Sequence, residues 1–354
     1  MDEKINKEQE PVDNSTELVE EEIHYKEMSP ARMVVRRFFR SRLSLVGVVM
    51  LAVLFAFSFI GPPIVHLFGY EWSETATDYT PVVKRVTTIV DVPTTDAENN
   101  EYEVIQYIEA TVDVNSYAAM SSSHFLGTDE KGMDVFIRLM YGGRISLTLG
   151  FVVVILETII GIIMGGIAGY FGGKADQIIM RLVDVLNCIP TLPILLIASV
   201  VIDSWEIESS MRIYCLMLIM TVFGWSGIAR MVRGQILYLR EQEFIVACEV
   251  MGIPTWRRIF KHLVPNIMPQ LIVSMTLGLG SIILYESTLS YLGLGIPLPY
   301  AAWGTMISSS TEPVIMANYP NLWIPAGILI VAAVLAFNFV GDGLRDAMDP
   351  KSKR

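Results

Sequence analysis

Six windows of the chain are apolar almost throughout, at about 43–67, 145–170, 179–203, 211–232, 269–291 and 322–343. Roughly 20 apolar residues in a helix cross a hydrocarbon core of roughly 30 Å, so each window predicts one membrane span. The first is too long for a signal core and no small-residue cleavage site follows it, so it counts as a span. The pattern predicts an all-α polytopic membrane protein with six transmembrane helices.

Between the first two windows the pattern changes. PVVKRVTTIVDVP and YEVIQYIEATVDV alternate apolar and polar residues with period two on either side of the turn-like TTDAENN, which predicts a small β-hairpin insert within 70–123. The stretch before the first window, about 1–30, is acidic and poor in apolar residues and reads as a disordered tail. A basic flank and first span follow over 31–69, and the membrane core occupies 124–350.

Composition agrees: 52% of the 354 residues are hydrophobic and 18% charged, too little charge to coat a soluble globule of this size. The net charge of -11 arises mainly in the acidic tail and in 70–123, and it argues against a nucleic-acid partner. Three cysteines without CxxC spacing give neither a disulfide framework nor a metal site. Cationic residues set the expected orientation. Arg32, Arg36, Arg37, Arg40 and Arg42 precede the first span, Arg233, Arg240, Arg257, Arg258 and Lys261 follow the fourth, and Arg345, Lys351, Lys353 and Arg354 end the chain. Six crossings place all of these, and both termini, in the cytoplasm of a cell whose plasma membrane holds the protein. The insert then lies outside.

The predicted cytoplasmic loop 240–266, REQEFIVACEVMGIPTWRRIFKHLVPN, is the most distinctive stretch. Phe244, Ala247, Cys248 and Met251 fall at i, i+3, i+4 and i+7, one stripe of a short helix. Gly252 stands where a helix end needs a left-handed residue, and Pro254 suits the first turn of another helix. Trp256, Ile259, Phe260 and Leu263 repeat the spacing until Pro265 opens the next span. Two short amphipathic helices with a sharp bend are expected, their polar faces carrying Glu243, Glu249, Arg257, Arg258 and Lys261. Such helices either lie flat on the membrane as interfacial anchors or form a docking knob for a cytoplasmic protein.

The order of residues here resembles the cytoplasmic loop of ABC-importer permeases, written EAA, three residues, Gly, nine residues, I-x-L-P. This chain has Val246-Ala247-Cys248, then Gly252, then His262-Leu263-Val264-Pro265, so Val246, Cys248, His262 and Val264 depart from the pattern. HFLGTDEKGMDVFIRLMYGGRISL (124–147), MRLVDVLNCIPTLP (180–193), ARMVRGQILYLREQEF (229–244), ESTLSYLGLGIPLPYAAWGTM (286–306) and AFNFVGDGLRDAMDP (336–350) resemble the C-type permease subunit of oligopeptide, dipeptide and nickel importers. Met133 stands where that family has Arg. The resemblance spans nearly all of 124–350 and does not extend to the tail or the insert.

That resemblance implies a type I ABC-importer permease fold. It also implies a heterodimer with a sister permease, two cytoplasmic ATPase subunits gripping the loops, and an external solute-binding protein that selects the cargo. Small Ala247 and Gly252 would let backbones approach the ATPase, with Glu243, Val246, Cys248, Pro254, Trp256, Arg257, Arg258, Phe260, His262 and Pro265 around them. ATP and magnesium would sit on the partner ATPases, with no cofactor or metal on this chain. AGYFGGKADQ lacks the first Gly and the Ser/Thr of a phosphate-binding loop, and no catalytic constellation is present, so the chain is not expected to be an enzyme. Oligopeptides are the expected cargo, with dipeptides and nickel chelates as alternatives.

Within the spans, Glu157, Asn187, Glu286 and Asn338 are polar. Each either hydrogen-bonds to a neighbouring span or lines the substrate path. Arg181 and Asp184, three apart, suggest a local ion pair. Gly161, Gly165 and Gly169, four apart, suggest a close helix contact. An ion-coupled secondary transporter is the competing class, although the chain has no evident internal repeat and such a machine has no use for the amphipathic loop.

Overall fold

The computed structural model describes residues 30–70, 72–91 and 102–348. Helix α1 (Pro30–Arg40) precedes a first span made of α2 (Arg42–Phe55), a π-helical turn (Ala56–Ile60) and α3 (Gly61–Leu67). Strands β1 (Tyr79–Asp91) and β2 (Tyr102–Val114) follow, then α4 (Val135–Phe171), α5 (Gly173–Cys188), α6 (Thr191–Ser204) and α7 (Ser209–Leu239). The remainder comprises α8 (Glu243–Val250), α9 (Thr255–Arg257), a second π-turn (Arg258–Leu263), α10 (Val264–Tyr291), α11 (Trp303–Ser308), a 3-10 turn (Ser309–Thr311), α12 (Pro313–Asn318) and α13 (Pro320–Met348).

Among the described residues, five helical stretches are long and apolar enough to cross a membrane: Arg42–Leu67, Val135–Phe171, Ser209–Leu239, Thr255–Tyr291 and Pro320–Met348. The window 179–203, expected as one span, is instead α5 and α6, bent by 83°. Proline disfavours helical geometry in the residue before it, and Ile189, preceding Pro190, is extended at φ -86, ψ 124. The described chain therefore has five straight spans, or six if the bent pair crosses as one.

Prolines inside the other spans are absorbed without a break. A proline removes one backbone donor and its ring presses on the preceding turn. Both π-turns lie just upstream of such residues, Ala56–Ile60 before Pro62 and Arg258–Leu263 before Pro265, where a wider turn makes room.

Close packing between spans depends on small residues, because lipid is as apolar as a leucine side chain and burial alone does not draw helices together. Gly161, Gly165 and Gly169 of α4 meet α7: a Cβ at Gly161 would stand 2.7 Å from Ile228 Cβ, one at Gly165 2.9 Å from Val232 Cβ, and one at Gly169 2.8 Å from the Arg233 carbonyl. Gly47 of α2 likewise abuts Phe339 and Ala336 of α13. The main core gathers Leu149 and Val153 of α4, Ile283 of α10 and Phe337 of α13.

Two strands follow the first span. β1 and β2 pair antiparallel from Tyr79 opposite Val114 to Asp91 opposite Tyr102, and TTDAENN lies outside the described residues, as does the acidic tail 1–29. Residues 292–319 do not run as a simple connection. They fold back as α11 and α12 against α10 and α13, with Trp303 fully buried and its indole Nε1–H donating to the Leu139 carbonyl at 2.9 Å.

Candidate functional site

The loop after α7 is built from both ends. Arg240 closes α7 and its guanidinium donates to the carbonyls of Gly169 and Tyr170 at 3.2 and 3.3 Å, fixing the loop to the end of α4. Glu243 opens α8, where a carboxylate complements the helix dipole. α8 ends in a Schellman turn. The Gly252 N–H bonds to the Glu249 carbonyl at 2.9 Å and the Ile253 N–H to the Cys248 carbonyl at 3.0 Å, with Gly252 at φ +71. The left-handed backbone, and not crowding, is what favours Gly252, since a Cβ there would meet open space. Extended Pro254 then starts a helical stretch that continues unbroken from Thr255 through the π-turn to Tyr291.

Two expectations about this loop need correction. It holds one short helix rather than two, because the second is the first turns of the fifth span and Pro265 lies within it. The inward face is also different. Ile245 and Cys248 are the buried residues of α8, while Phe244, Ala247 and Met251 of the expected stripe are exposed. In the next segment Ile259 and Leu263 are buried as expected, but Trp256 and Phe260 face outward. Ile245, Ile259 and Leu263 pack with Val232 and Ile236 of α7 and Ile267 and Leu271 of α10, so the loop shares a core with two spans.

Arg258 was expected on the exposed polar face and is instead buried. Its guanidinium pairs with Glu249 at 3.1 Å and lies 5.5 Å over the Tyr170 ring. Arg257 stacks on Trp256 at 5.1 Å. Glu243, Val246, Pro254, Arg257, Lys261 and Pro265 are exposed, and His262 is half-buried. What remains outward around the Gly252 turn is a cluster of large apolar side chains: Val250 is 84% exposed, Met251 69%, Trp256 60% and Phe260 53%.

The intramembrane polar residues separate into different roles. Glu286 is enclosed between spans, its carboxylate accepting from Ser146 at 3.2 Å and Ser290 at 2.7 Å, and Ser146 Oγ also accepts from the Trp303 backbone N–H at 3.3 Å. Asn187 accepts from Ser226 of α7 at 3.1 Å and donates to the Val183 carbonyl at 2.8 Å. Glu157 is buried against Gly224 of α7, and its Oε1 has no hydrogen-bond partner among the described residues. Asn338 is half-buried, and its side chain makes no hydrogen bond among the described residues. Asp184 does not pair with Arg181; it accepts from Arg230 of α7 at 2.8 Å, while Asp176 takes two bonds from Arg233 at 2.9 and 2.6 Å. A helix-internal pair would span one turn, whereas the arginines of α7 approach both acids directly from the facing helix.

Two cavities lie toward opposite ends of the bundle. One of about 600 Å³ is lined by Gln235, Asn266, Gln270, Ser274 and Arg345, where α7, α10 and α13 meet near the loop. The other, about 360 Å³, lies between the start of α4 and the α11–α12 segment, with Asp129, Arg138 and Arg212 in its wall.

A polar network at the base of the insert was not singled out from the sequence. Asp134 caps α4 by accepting from the Ile137 N–H at 2.9 Å, and its other oxygen accepts from Tyr70 at 2.6 Å and faces His124 Nδ1 at 2.8 Å. His124 Nε2 faces Asp78 at 3.2 Å, so the imidazole bridges the insert and the membrane core. Burial and the bond to Asp134 push the Tyr70 hydroxyl well above the usual tyrosine range. Burial likewise raises Glu74, which accepts the Ala301 N–H at 2.9 Å. An acid directly before an apolar helix, as in GMDVF, was the signal available for the cap.

A bundle of at least five spans with an exposed loop rooted in its core defines a multi-pass membrane protein. Residues 158–354 match the model of the binding-protein-dependent transport system inner membrane component, and residues 29–81 match the N-terminal transmembrane domain of oligopeptide transport permease C. The chain is 41% identical over 242 residues to the oligopeptide transport system permease protein OppC of Bacillus subtilis, covering 68% of this chain and 76% of that one. It is 42% identical over 234 residues to the dipeptide transport system permease protein DppC of the same organism, covering 66% and 71%. With OppC of Haemophilus influenzae it shares 37% identity over 234 residues, covering 66% and 72%. The chain belongs to the family of binding-protein-dependent transport system inner membrane components and is an ABC-importer permease subunit.

Proposed function

We propose that this chain is a membrane-spanning permease subunit of an ATP-driven importer of peptides, and that loop 240–266 is where an ATPase subunit docks. The observation that carries the docking reading is the exposed apolar cluster of Val250, Met251, Trp256 and Phe260 on a turn whose following segment is continuous with a 37-residue helix. Soluble surfaces rarely leave such side chains gathered without a partner. Closure of the ATPases would push the loop, and the helix Thr255–Tyr291 would carry that movement as a rigid rod into the bundle.

On this reading the loop, both termini and the large polar cavity face the cytoplasm of the plasma membrane, and the hairpin faces outward toward the binding protein. A sister permease completes the pathway. ATP and magnesium are held by the ATPases, and this subunit carries out no chemistry. Oligopeptides are the proposed cargo because two of the relatives are named oligopeptide permeases; the dipeptide permease relative supports a shorter cargo as the second reading. The insert is proposed to contact the binding protein or the sister permease, and its deletion without loss of uptake would remove that role. Purification of the chain with its neighbours tests the whole reading. ATPase subunits should co-purify, and peptide uptake should stop on ATP depletion while surviving a protonophore with ATP maintained; uptake without ATP would contradict it.

A further inference from the structure

We infer that α1 is a binding site for anionic phospholipid, formed by Arg32, Arg36 and Arg40 beside the exposed apolar pair Val35 and Phe39, at the end of the first span. α1 and α2 are separate helices, because Ser41 between them is extended at φ -75, ψ 122 and its side chain caps α2 by accepting from the Ser44 N–H at 3.4 Å. The chain therefore turns at the membrane boundary rather than running straight into the span.

One side of α1 is held by the bundle: Phe38 is buried and its ring edge stands 3.2 Å from where a Cβ at Gly343 of α13 would be. At about 100° per residue, Arg32, Arg36 and Arg40 fall within an arc of about 80° on a different side. All three are exposed, and no ion pair holds any of them among the described residues. Arg37 has an interaction of its own and is not counted in the arc. Next to the arc, Val35 and Phe39 are 54% and 55% exposed.

The apolar flank decides what occupies the arc. Val35 and Phe39 are one turn apart on α1, and beyond Ser41 the span α2 exposes Leu43, Val46, Val49 and Val53 at three- and four-residue spacing. Only Ser41 separates the two helices, so α1, with the arginines and its own exposed apolar pair, sits at the end of a span whose exposed apolar face meets acyl chains. A helix with cations beside an apolar flank at that depth sits where phosphate headgroups meet hydrocarbon. The acidic segment preceding α1 in the sequence could neutralise the arginines but supplies few apolar residues to cover Val35 and Phe39.

The test uses the full-length chain in mild detergent, with phosphatidylglycerol and phosphatidylcholine as competing probes and native mass spectrometry as readout. Wild type should retain phosphatidylglycerol preferentially. The variant R32Q/R36Q/R40Q should lose that preference, at about fivefold per arginine, while R32K/R36K/R40K keeps most of it. Unchanged helical content and melting temperature in the Gln variant separate lost binding from lost folding. Equal retention of the two lipids by wild type, or an unaltered preference in the Gln variant, would overturn the inference. So would a phosphatidylglycerol preference that is absent in the full chain and appears only on deleting residues 1–28, which would assign the arginines to the acidic segment.

Discussion

Arg258 reaches back across the Gly252 turn to Glu249, with 3.1 Å between guanidinium and carboxylate, and lays the same guanidinium 5.5 Å over the Tyr170 ring at the end of α4. One side chain thus joins the helix before the turn, the helix after it and a neighbouring span. Most of Glu249 is in solvent, so its charge is screened and Glu249→Gln should cost less than ~1 kcal/mol. Arg258→Ala also removes a buried stem and the ring contact, and should cost about 1–2 kcal/mol. Thermal unfolding in detergent checks the order. An equal loss in both variants would place the stabilisation in the ion pair alone.

The conformation of Gly252 and the surface around it can be separated by substitution. At φ +71 a Cβ is strained by about 1–2 kcal/mol, although nothing nearby obstructs it, and Asn and Asp adopt this region more readily than other residues. Gly252→Asn should therefore melt close to wild type and Gly252→Val clearly below it. Equal melting of the two would show that backbone conformation is not what the glycine supplies.

Contact between α4 and α7 leaves no room at Gly165, where a Cβ would press on the Ala229 carbonyl and on Val232 Cβ at 2.9 Å. Gly165→Val should markedly reduce the amount of folded protein in the membrane. Gly227→Ala on α7, where nothing lies within 4 Å, should leave it unchanged. Quantitative recovery by size-exclusion chromatography distinguishes the two, and equal recovery would argue against this packing.

Glu74 gives a pH dependence of known sign. Its carboxyl is raised by burial, so the folded state holds its proton more tightly than the unfolded state. The contribution is fully present below the ordinary carboxylate range and is lost as pH rises through the raised value. Glu74→Gln keeps an oxygen for the Ala301 N–H and removes the charge. It should raise the melting temperature at neutral pH and leave it nearly unchanged in acid. A drop at neutral pH would mean that the ionised form is the one the fold favours.

Five of the apolar windows were legible as long helices because such windows report directly on lipid, and β1 and β2 as strands because period-two alternation has no helical reading. The break in the third window was also written in the sequence, at Ile189-Pro190, but a hydropathy window averages over a single proline. The loop face was misplaced for a different reason. Periodicity admitted a face with Trp256 and Phe260 inward as readily as the one found, with Ile259, Leu263 and Ile267 inward, and packing against Val232 and Ile236 of α7 decides between them. Arg258 could not be foreseen as buried, since its partners Glu249 and Tyr170 meet it only in the folded chain. Nor could Asp184 be assigned to Arg230 rather than to nearby Arg181, because the facing helix decides that pair. The His124, Asp134, Asp78 and Tyr70 network likewise joins residues far apart in the chain.

Reconstitution of Gly252→Asp with its ATPase subunits and binding protein tests the central claim most directly. Aspartate tolerates the left-handed backbone, so insertion and folding should persist, while a charge at the centre of the exposed apolar turn should abolish ATPase association and peptide uptake. Wild-type uptake by a correctly inserted Gly252→Asp permease would contradict the docking role of the loop.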